Sequence, residues 1–123
     1  MSKKVLSVGQ CGFDNQALNR FLTKHFDVEL QTSDLVADTL SSLQSTTFDL
    51  ILINRKLDRD YSDGIEILKQ LKSDEEFREV PVMLVSNFED AQSAAVDSGA
   101  LLGFGKNQYG DTAVIERLRT VLD

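Results

Sequence analysis

Several residue types are scarce in this chain of 123 residues: it has one cysteine, one proline, one histidine and no tryptophan. A single cysteine excludes an internal disulfide and fits a reducing compartment. No apolar run is long enough for a transmembrane helix, and the N-terminal MSKKVLSV has no apolar core of the secretory type. We therefore expect a cytoplasmic protein whose fold depends on packing alone.

Positive charge is also scarce, because 13 lysines and arginines face 20 aspartates and glutamates, which gives a net charge of −7. This balance argues against nucleic acid or an anionic membrane as the direct partner. A hydrophobic content of 41% and a charged content of 27% are typical of globular domains. The length predicts one domain spanning residues 1–123, large enough to bury a core without a metal.

Short apolar runs alternate along the chain with segments of helical periodicity. Strands are predicted at residues 5–8, 26–30, 50–53, 81–86 and 101–105. Residues 50–53 are apolar on both faces, as in a central parallel strand, whereas residues 26–30 alternate as in an edge strand. The five predicted helices begin near Asp14, Asp34 and Asp63-Gly64, and lie over residues 91–96 and 114–122. The order (βα)5 predicts an α/β fold: a doubly wound, five-stranded parallel sheet of flavodoxin-like architecture.

Sheets of this kind carry their sites beyond the carboxyl ends of the strands. The residues expected there are polar or small, and they are Gly9, Gln10, Cys11, Asn54, Ser86, Asn87 and Lys106. The least ordinary of them is Asn54, because the buried strand FDLILIN delivers an amide to the sheet edge rather than a carboxylate.

The stretches FDLILIN, Asp63-Gly64, residues 82–86 and SGALLGFGK, in this order and register, resemble the response-regulator receiver domains of two-component signalling. The resemblance covers essentially the whole chain. It implies a site in which an aspartate at the end of the third strand accepts a phosphoryl group. Two acidic residues after the first strand hold Mg²⁺, and a hydroxyl residue and a lysine bind the phosphoryl oxygens.

Carried over by position, the resemblance places the phosphoacceptor at Asn54, the two metal ligands at Gly9 and Gln10, the hydroxyl at Ser86 and the lysine at Lys106. Only the hydroxyl and the lysine match the family. The aromatic residue that reorients in the family, three positions before the lysine, corresponds to Gly103, and the proline after the lysine corresponds to Asn107. The resemblance therefore implies a degenerate receiver, a pseudo-receiver.

The chemistry of these differences predicts a pocket that has kept its shape and lost its reaction. A carboxamide has no nucleophilic oxygen comparable to that of a carboxylate, and Mg²⁺ is usually anchored by carboxylates. A family site gathers three carboxylates around one lysine, whereas the matched positions here hold Lys106 alone. We expect no catalytic residue, no metal and no cofactor. Asn54 is expected to offer its carbonyl to Lys106 and its NH₂ to a backbone carbonyl, or else simply to end the strand in a turn.

These expectations favour a non-enzymatic adaptor that contacts a protein partner without a phosphoryl signal. In the family, the face formed by the fourth helix, fifth strand and fifth helix commonly makes such contacts. Two alternatives stay open: a conventional response regulator phosphorylated at Asp58 or Asp60, and a phosphate-handling enzyme that uses Cys11. Anion binding by Ser86 and Lys106, the identity of the partner and the oligomeric state also stay open.

Overall fold

In a computed structural model, residues 2–123 form one parallel sheet of five strands in the order β2-β1-β3-β4-β5, with helices on both faces. The predicted (βα)5 fold is therefore confirmed. The elements are β1 Lys3–Val8, α1 Gly12–His25, β2 Val28–Ser33, α2 Val36–Ser45, β3 Leu50–Asn54, α3 Gly64–Lys72, β4 Val82–Val85, α4 Glu89–Asp97, β5 Leu101–Phe104, a short 3₁₀ turn Lys106–Gln108 and α5 Thr112–Leu122. No helix within residues 2–123 has the length and apolar character needed to cross a membrane.

The central strands are buried on both faces, which explains their uninterrupted apolar sequence. On one face Ile51 and Ile53 of β3 pack with α2, α3 and α4, and on the other Leu50 and Leu52 pack with α1 and α5. All four of these side chains are fully buried. Since each fully buried aliphatic side chain contributes about 1.5–3 kcal/mol, β3 is the main support of the site at its carboxyl end.

Helix beginnings differ from those predicted. Helix α1 starts at Gly12, and the sulfur of Cys11 accepts a hydrogen bond from the Asp14 backbone N–H, so Cys11 and not Asp14 is the cap. Helix α2 starts after Leu35 rather than after Asp34. The Asp38 carboxylate accepts hydrogen bonds from the backbone N–H groups of Asp34 and Leu35. The carboxylate at the third helical position thus replaces a capping side chain.

Two strands also differ from their predicted limits. Strand β2 runs over Val28–Ser33, later than residues 26–30, and it is an edge strand as predicted. Strand β5, the other edge, ends at Phe104. Its pairing with β4 is irregular, because Met83 pairs with Leu101 but Val85 pairs with Phe104, which leaves one extra residue in β5. This local bulge lies between Leu101 and Phe104 and includes Gly103, which lines a cavity beside β5.

Candidate functional site

The carboxyl ends of β3 and β4, the first turn of α1 and the segment after β5 meet around a cavity of about 310 Å³, here called the central cavity. Asn54, Ser86 and Lys106 line it, so the structure brings together three of the five residues predicted for the pocket. Gly9 and Gln10 follow β1 at the same edge but are not among the lining residues, which are Asp14, Asn54, Arg55, Lys56, Asp58, Tyr61, Val85, Ser86, Asn87, Phe88 and Lys106.

The side chain of Asn54 donates hydrogen bonds to the backbone of two different loops. Its side-chain Nδ2 donates to the carbonyl of Lys56 at 2.8 Å and to that of Gly9 at 3.4 Å. The amide therefore ties the loop after β1 to the loop after β3, as the expected bond to a backbone carbonyl required. The expected contact between its carbonyl and Lys106 is wrong, because the lysine has a stronger partner.

That partner is Asp14, whose carboxylate accepts a hydrogen bond from Lys106 Nζ at 2.6 Å. The bond from Lys106 lowers the pKa of Asp14 below its ordinary value. An opposite charge at this distance outcompetes a neutral amide oxygen as acceptor. Burial, with the Asp14 charge as a second cause, raises the pKa of the nearby Tyr109 to about 12.

Sequence reasoning missed Asp14 as a site residue, because it sought polar groups only at strand ends. Asp14 lies in the first turn of α1, where its carboxylate was interpreted as the cap. The position of Asp14 in the sequence could have indicated its role. The first turn of a helix that directly follows a strand lies at the same edge of the sheet as the carboxyl ends of the strands.

Gly9 and Gln10 bring no carboxylate to the end of β1. The backbone of Gly9 has φ +78°, and a Cβ there would lie 2.4 Å from the Leu57 side chain, so the position requires glycine. Gln10 is 3% exposed, and neither polar atom of its side chain has a hydrogen-bond partner among the described residues. Residues 2–123 contain no cluster of three acidic, histidine or cysteine side chains able to hold a metal ion.

Two further cations line the central cavity. Lys56 forms an ion pair with Asp63, which lowers the pKa of that aspartate. The Arg55 guanidinium lies over the Phe88 ring, 4.8 Å from its centroid, and has no ion pair within residues 2–123. The lining thus has three cations and two carboxylates, and Asp63, which pairs with Lys56 from outside the lining, brings the formal charge of the group to zero.

Ser86 is buried, and its Oγ accepts a hydrogen bond from the Phe88 N–H at 3.1 Å. The hydroxyl thus shapes the turn between β4 and α4, and its own hydrogen remains available for donation. Asn87 performs a similar local task, since its Oδ1 accepts from the Asn107 N–H at 3.3 Å.

A second cavity of about 590 Å³, here called the lateral cavity, lies beside β5 between α4 and α5, and Gly103, Leu102, Gln92 and Arg117 are among the residues that line it. A Cβ on Gly103 would lie 2.1 Å from the Leu84 carbonyl oxygen, so this position excludes every side chain. Phe104 is instead buried on the α1 side of the sheet, with its ring edge-on to that of Phe21.

The polar groups of the lateral cavity bond mainly to the backbone. The Gln92 side chain donates to the carbonyls of Leu84 and Ser86 and accepts from the Gly103 N–H, so it satisfies the irregular edge of β5. Arg117 Nη1 donates to the Gly103 carbonyl at 2.6 Å. Within residues 2–123, Arg117 has no ion pair with a carboxylate, although Glu89 also lines this cavity.

Several solved structures have folds similar to that of this chain. The chain aligns over 98% of its length with a putative response regulator from Chloroflexus aurantiacus, with a TM-score of 0.83 at 14% identity and 98% of that chain covered. The receiver domain of a DNA-binding response regulator from Colwellia psychrerythraea gives a TM-score of 0.76 at 20% identity, with 97% of each chain covered. The chain has the receiver-domain fold.

A longer protein shares this receiver-domain fold. NtrX from Brucella abortus gives a TM-score of 0.81 at 20% identity, and the alignment covers 99% of this chain but 27% of NtrX. No family model and no curated protein matches the sequence. At these sequence identities the comparisons show the receiver-domain fold and do not show a function.

Proposed function

We propose that this receiver-like domain serves signal transduction as a protein-interaction module that does not use phosphorylation. The observation that carries the proposal is the state of the central cavity. An amide bonded to two backbone carbonyls stands at the end of β3, and Lys106 is held by Asp14. A phosphoryl group would have no carboxylate to receive it at residue 54 and would compete with Asp14 for the lysine.

The same proposal is supported because residues 2–123 contain no cluster of acidic, histidine or cysteine side chains able to hold a metal ion. Phosphoryl transfer to a carboxylate needs cations that neutralise the transferred group, and Mg²⁺ prefers oxygen ligands, chiefly carboxylates and water. The positions that would supply them are a glycine without space for a side chain and the buried, neutral Gln10. The carboxylate of Asp14 forms an ion pair with Lys106, so its negative charge neutralises the lysine and not a metal ion.

The surface proposed for the partner is the face formed by α4, β5 and α5. Strand β5 is an edge strand, and Leu101 and Leu102 on it are 43% and 48% exposed. Val96 of α4 is also exposed, and Arg117 of α5 lacks a carboxylate partner within the described residues. Exposed apolar groups beside one unmatched cation are the composition that protein interfaces favour.

This face operates without a moving aromatic side chain. Gly103 excludes a ring because even a Cβ meets the Leu84 carbonyl. Phe104 is buried against Phe21 and Tyr109. We infer that the partner recognises a constant surface, with no relay from the central cavity.

Phosphorylation at Asp58 is the second candidate, because this carboxylate lines the central cavity together with Ser86 and Lys106. The candidate is weaker because it lacks a metal-binding set and because Lys106 is already paired. Asp60 is a poorer acceptor still, since its carboxylate is occupied by the N–H and hydroxyl of Ser62.

One experiment separates the two. The protein is incubated with acetyl phosphate and Mg²⁺, and its intact mass is measured beside that of Asp58→Asn. We expect no phosphoryl adduct on either protein. An adduct on the wild type that disappears in Asp58→Asn would establish the conventional mechanism and refute the proposal.

The proposed interaction is tested by a substitution on the face formed by α4, β5 and α5. Partners captured from native lysate by the wild type are identified, and binding of a purified one is compared for Leu102→Asp and for Glu66→Lys, a change on the exposed surface of α3. We expect Leu102→Asp alone to weaken binding at least tenfold. Equal binding by all three proteins would exclude the β5 face.

A further inference from the structure

Two large aromatic side chains at the wall of the central cavity are exposed. Tyr61 is 77% exposed and Phe88 is 55% exposed, and both belong to the residues that line the cavity. A single exposed aromatic residue needs no explanation, but two on one concave site supply apolar area exactly where a ligand would be enclosed. Neither ring contributes to the hydrophobic clusters on the two faces of the sheet.

Tyr61 holds its exposed position at a conformational cost. Its backbone φ is +59°, and it is the only residue other than glycine with a positive φ among residues 2–123. The left-handed region costs a bulky residue about 1 kcal/mol, and glycine would adopt it freely. The loop is built around it, since the Tyr61 N–H donates to the Leu57 carbonyl at 2.8 Å. Strain of this kind at a cavity wall is a recurrent mark of binding sites.

The charges of the central cavity disfavour an anion. Lys106 and Lys56 are each engaged by an aspartate, and Arg55 stacks on Phe88. An entering phosphate or carboxylate would compete with Asp14 for Lys106 or with Asp63 for Lys56, and it would face Asp58 as well. The Arg55 guanidinium, in contrast, offers a flat face that stacks well on aromatic rings.

Hydrogen-bonding capacity is still free within the cavity. Asn54 uses its Nδ2 for two backbone carbonyls, while its Oδ1 accepts no hydrogen bond from residues 2–123. The Ser86 Oγ accepts a bond from a backbone N–H and retains its own hydrogen for donation. One acceptor and one donor therefore stand beside the aromatic wall.

We propose that the central cavity binds a small, uncharged planar aromatic molecule with a polar edge. The ring packs against Tyr61, Phe88 and Arg55, and the polar edge bonds to the Asn54 Oδ1 and the Ser86 hydroxyl. The volume of about 310 Å³ suits a ligand of one or two fused rings. The inference rests on the proposed function in one respect, which is that no phosphoryl group occupies the cavity.

The test uses nicotinamide and nicotinate, which share a ring but differ in charge, together with adenine as an uncharged fused ring and inorganic phosphate as an anion. Each is titrated to millimolar concentration into the ¹⁵N-labelled protein, and backbone amide shifts are followed. We expect saturable shifts around Asn54, Tyr61 and Phe88 with nicotinamide or adenine. Nicotinate should bind at least fivefold more weakly than nicotinamide, and phosphate should give no saturable shift there.

Variants decide whether the rings are responsible. We expect Tyr61→Ala and Phe88→Ala each to weaken binding about tenfold, the usual effect of losing one stacking partner. Phe13→Ala is the matched control, because Phe13 is also 77% exposed but does not line the cavity. The dispersion of the amide spectrum verifies that each variant is folded.

Three results would overturn the inference: no saturable shifts with either uncharged probe, equal binding by all three variants, or nicotinate binding as tightly as nicotinamide. Failure here leaves the proposed function intact, since a cavity that binds no ring can still lack phosphoryl chemistry. Conversely, a phosphoryl adduct with acetyl phosphate refutes the proposed function whatever the ring titrations show.

Discussion

The central and lateral cavities differ in how their cations are held. In the central cavity two lysines pair with aspartates, and the arginine lies over an aromatic ring. In the lateral cavity Arg117 donates to a backbone carbonyl and has no ion pair among residues 2–123, although Glu89 also lines that cavity. The difference therefore lies in the lysine–aspartate pairs, which belong to the central cavity alone of the two.

The cavities also differ in what supports them. The central cavity depends on side-chain bonds between loops, such as that from Asn54 to Gly9, and on one long-range ion pair. The lateral cavity depends on a backbone approach at Gly103 that no side chain permits. We therefore expect single substitutions to damage the lateral cavity more than the central one.

The largest effect is expected for Gly103→Ala at the lateral cavity. The added Cβ would lie 2.1 Å from the Leu84 oxygen, so β5 must move away from β4. We expect the free energy of unfolding to fall by about 3 kcal/mol in urea denaturation. Gly12→Ala is the control, because its Cβ meets no atom within 4 Å and should leave stability nearly unchanged. Equal effects of the two changes would contradict this account of β5.

A gain of stability is expected for Gln10→Leu beside the central cavity. The change replaces a buried side chain whose polar atoms have no partner within the described residues with an apolar one of similar size. We expect the free energy of unfolding to rise by about 1–2 kcal/mol, which is the usual penalty of an unsatisfied buried polar group. Thermal and urea denaturation measure it. A loss of stability would show that Gln10 has a structural partner.

The Lys106–Asp14 ion pair at the central cavity should contribute about 1 kcal/mol, since both side chains are partly exposed. The folded-state pKa of Asp14 lies below its unfolded value near 3.8. The contribution is therefore fully present above that unfolded value and is lost as pH falls through the lower folded pKa. Urea denaturation from pH 7 downward should show Asp14→Asn less stable than the wild type at pH 7 and equal to it in acid.

Lys106→Met is the control for that pair. If the two groups interact directly, the double variant should be more stable than the sum of the single effects predicts, by a coupling energy of about 1 kcal/mol. A difference between wild type and Asp14→Asn that stays constant down to the lowest pH would show that the charge of Asp14 is not what stabilises the fold.

The smallest effect is expected at Tyr61. Tyr61→Gly relieves the positive φ, whereas Tyr61→Ala keeps it and removes the ring. We expect the glycine variant to be more stable than the alanine variant by about 0.5–1 kcal/mol. Urea denaturation of both variants measures this difference. The opposite order would mean that the loop relaxes at no cost and that Tyr61 is not strained.

Much of the fold followed from local pattern. The apolar run before Asn54 predicted the central strand, and the helical spacing of residues 114–122 predicted α5. Asp63-Gly64 correctly predicted the start of α3. A Cβ on Gly64 would lie 2.1 Å from the backbone carbonyl oxygen of Asn54. These predictions succeeded because periods of two and of 3.6 residues state directly which faces are buried.

The alternation of strands and helices, the amide at the end of β3 and the lack of carboxylates directly after β1 can all be read from the amino-acid sequence. Three features required the folded chain: Lys106 pairs with Asp14, 92 positions away; Gln10 is buried without a hydrogen-bond partner among residues 2–123; and Tyr61 and Phe88 share a cavity. The physical reason is distance along the chain: burial patterns are local, whereas the choice of a partner for a charge or a ring depends on which loops the sheet brings together.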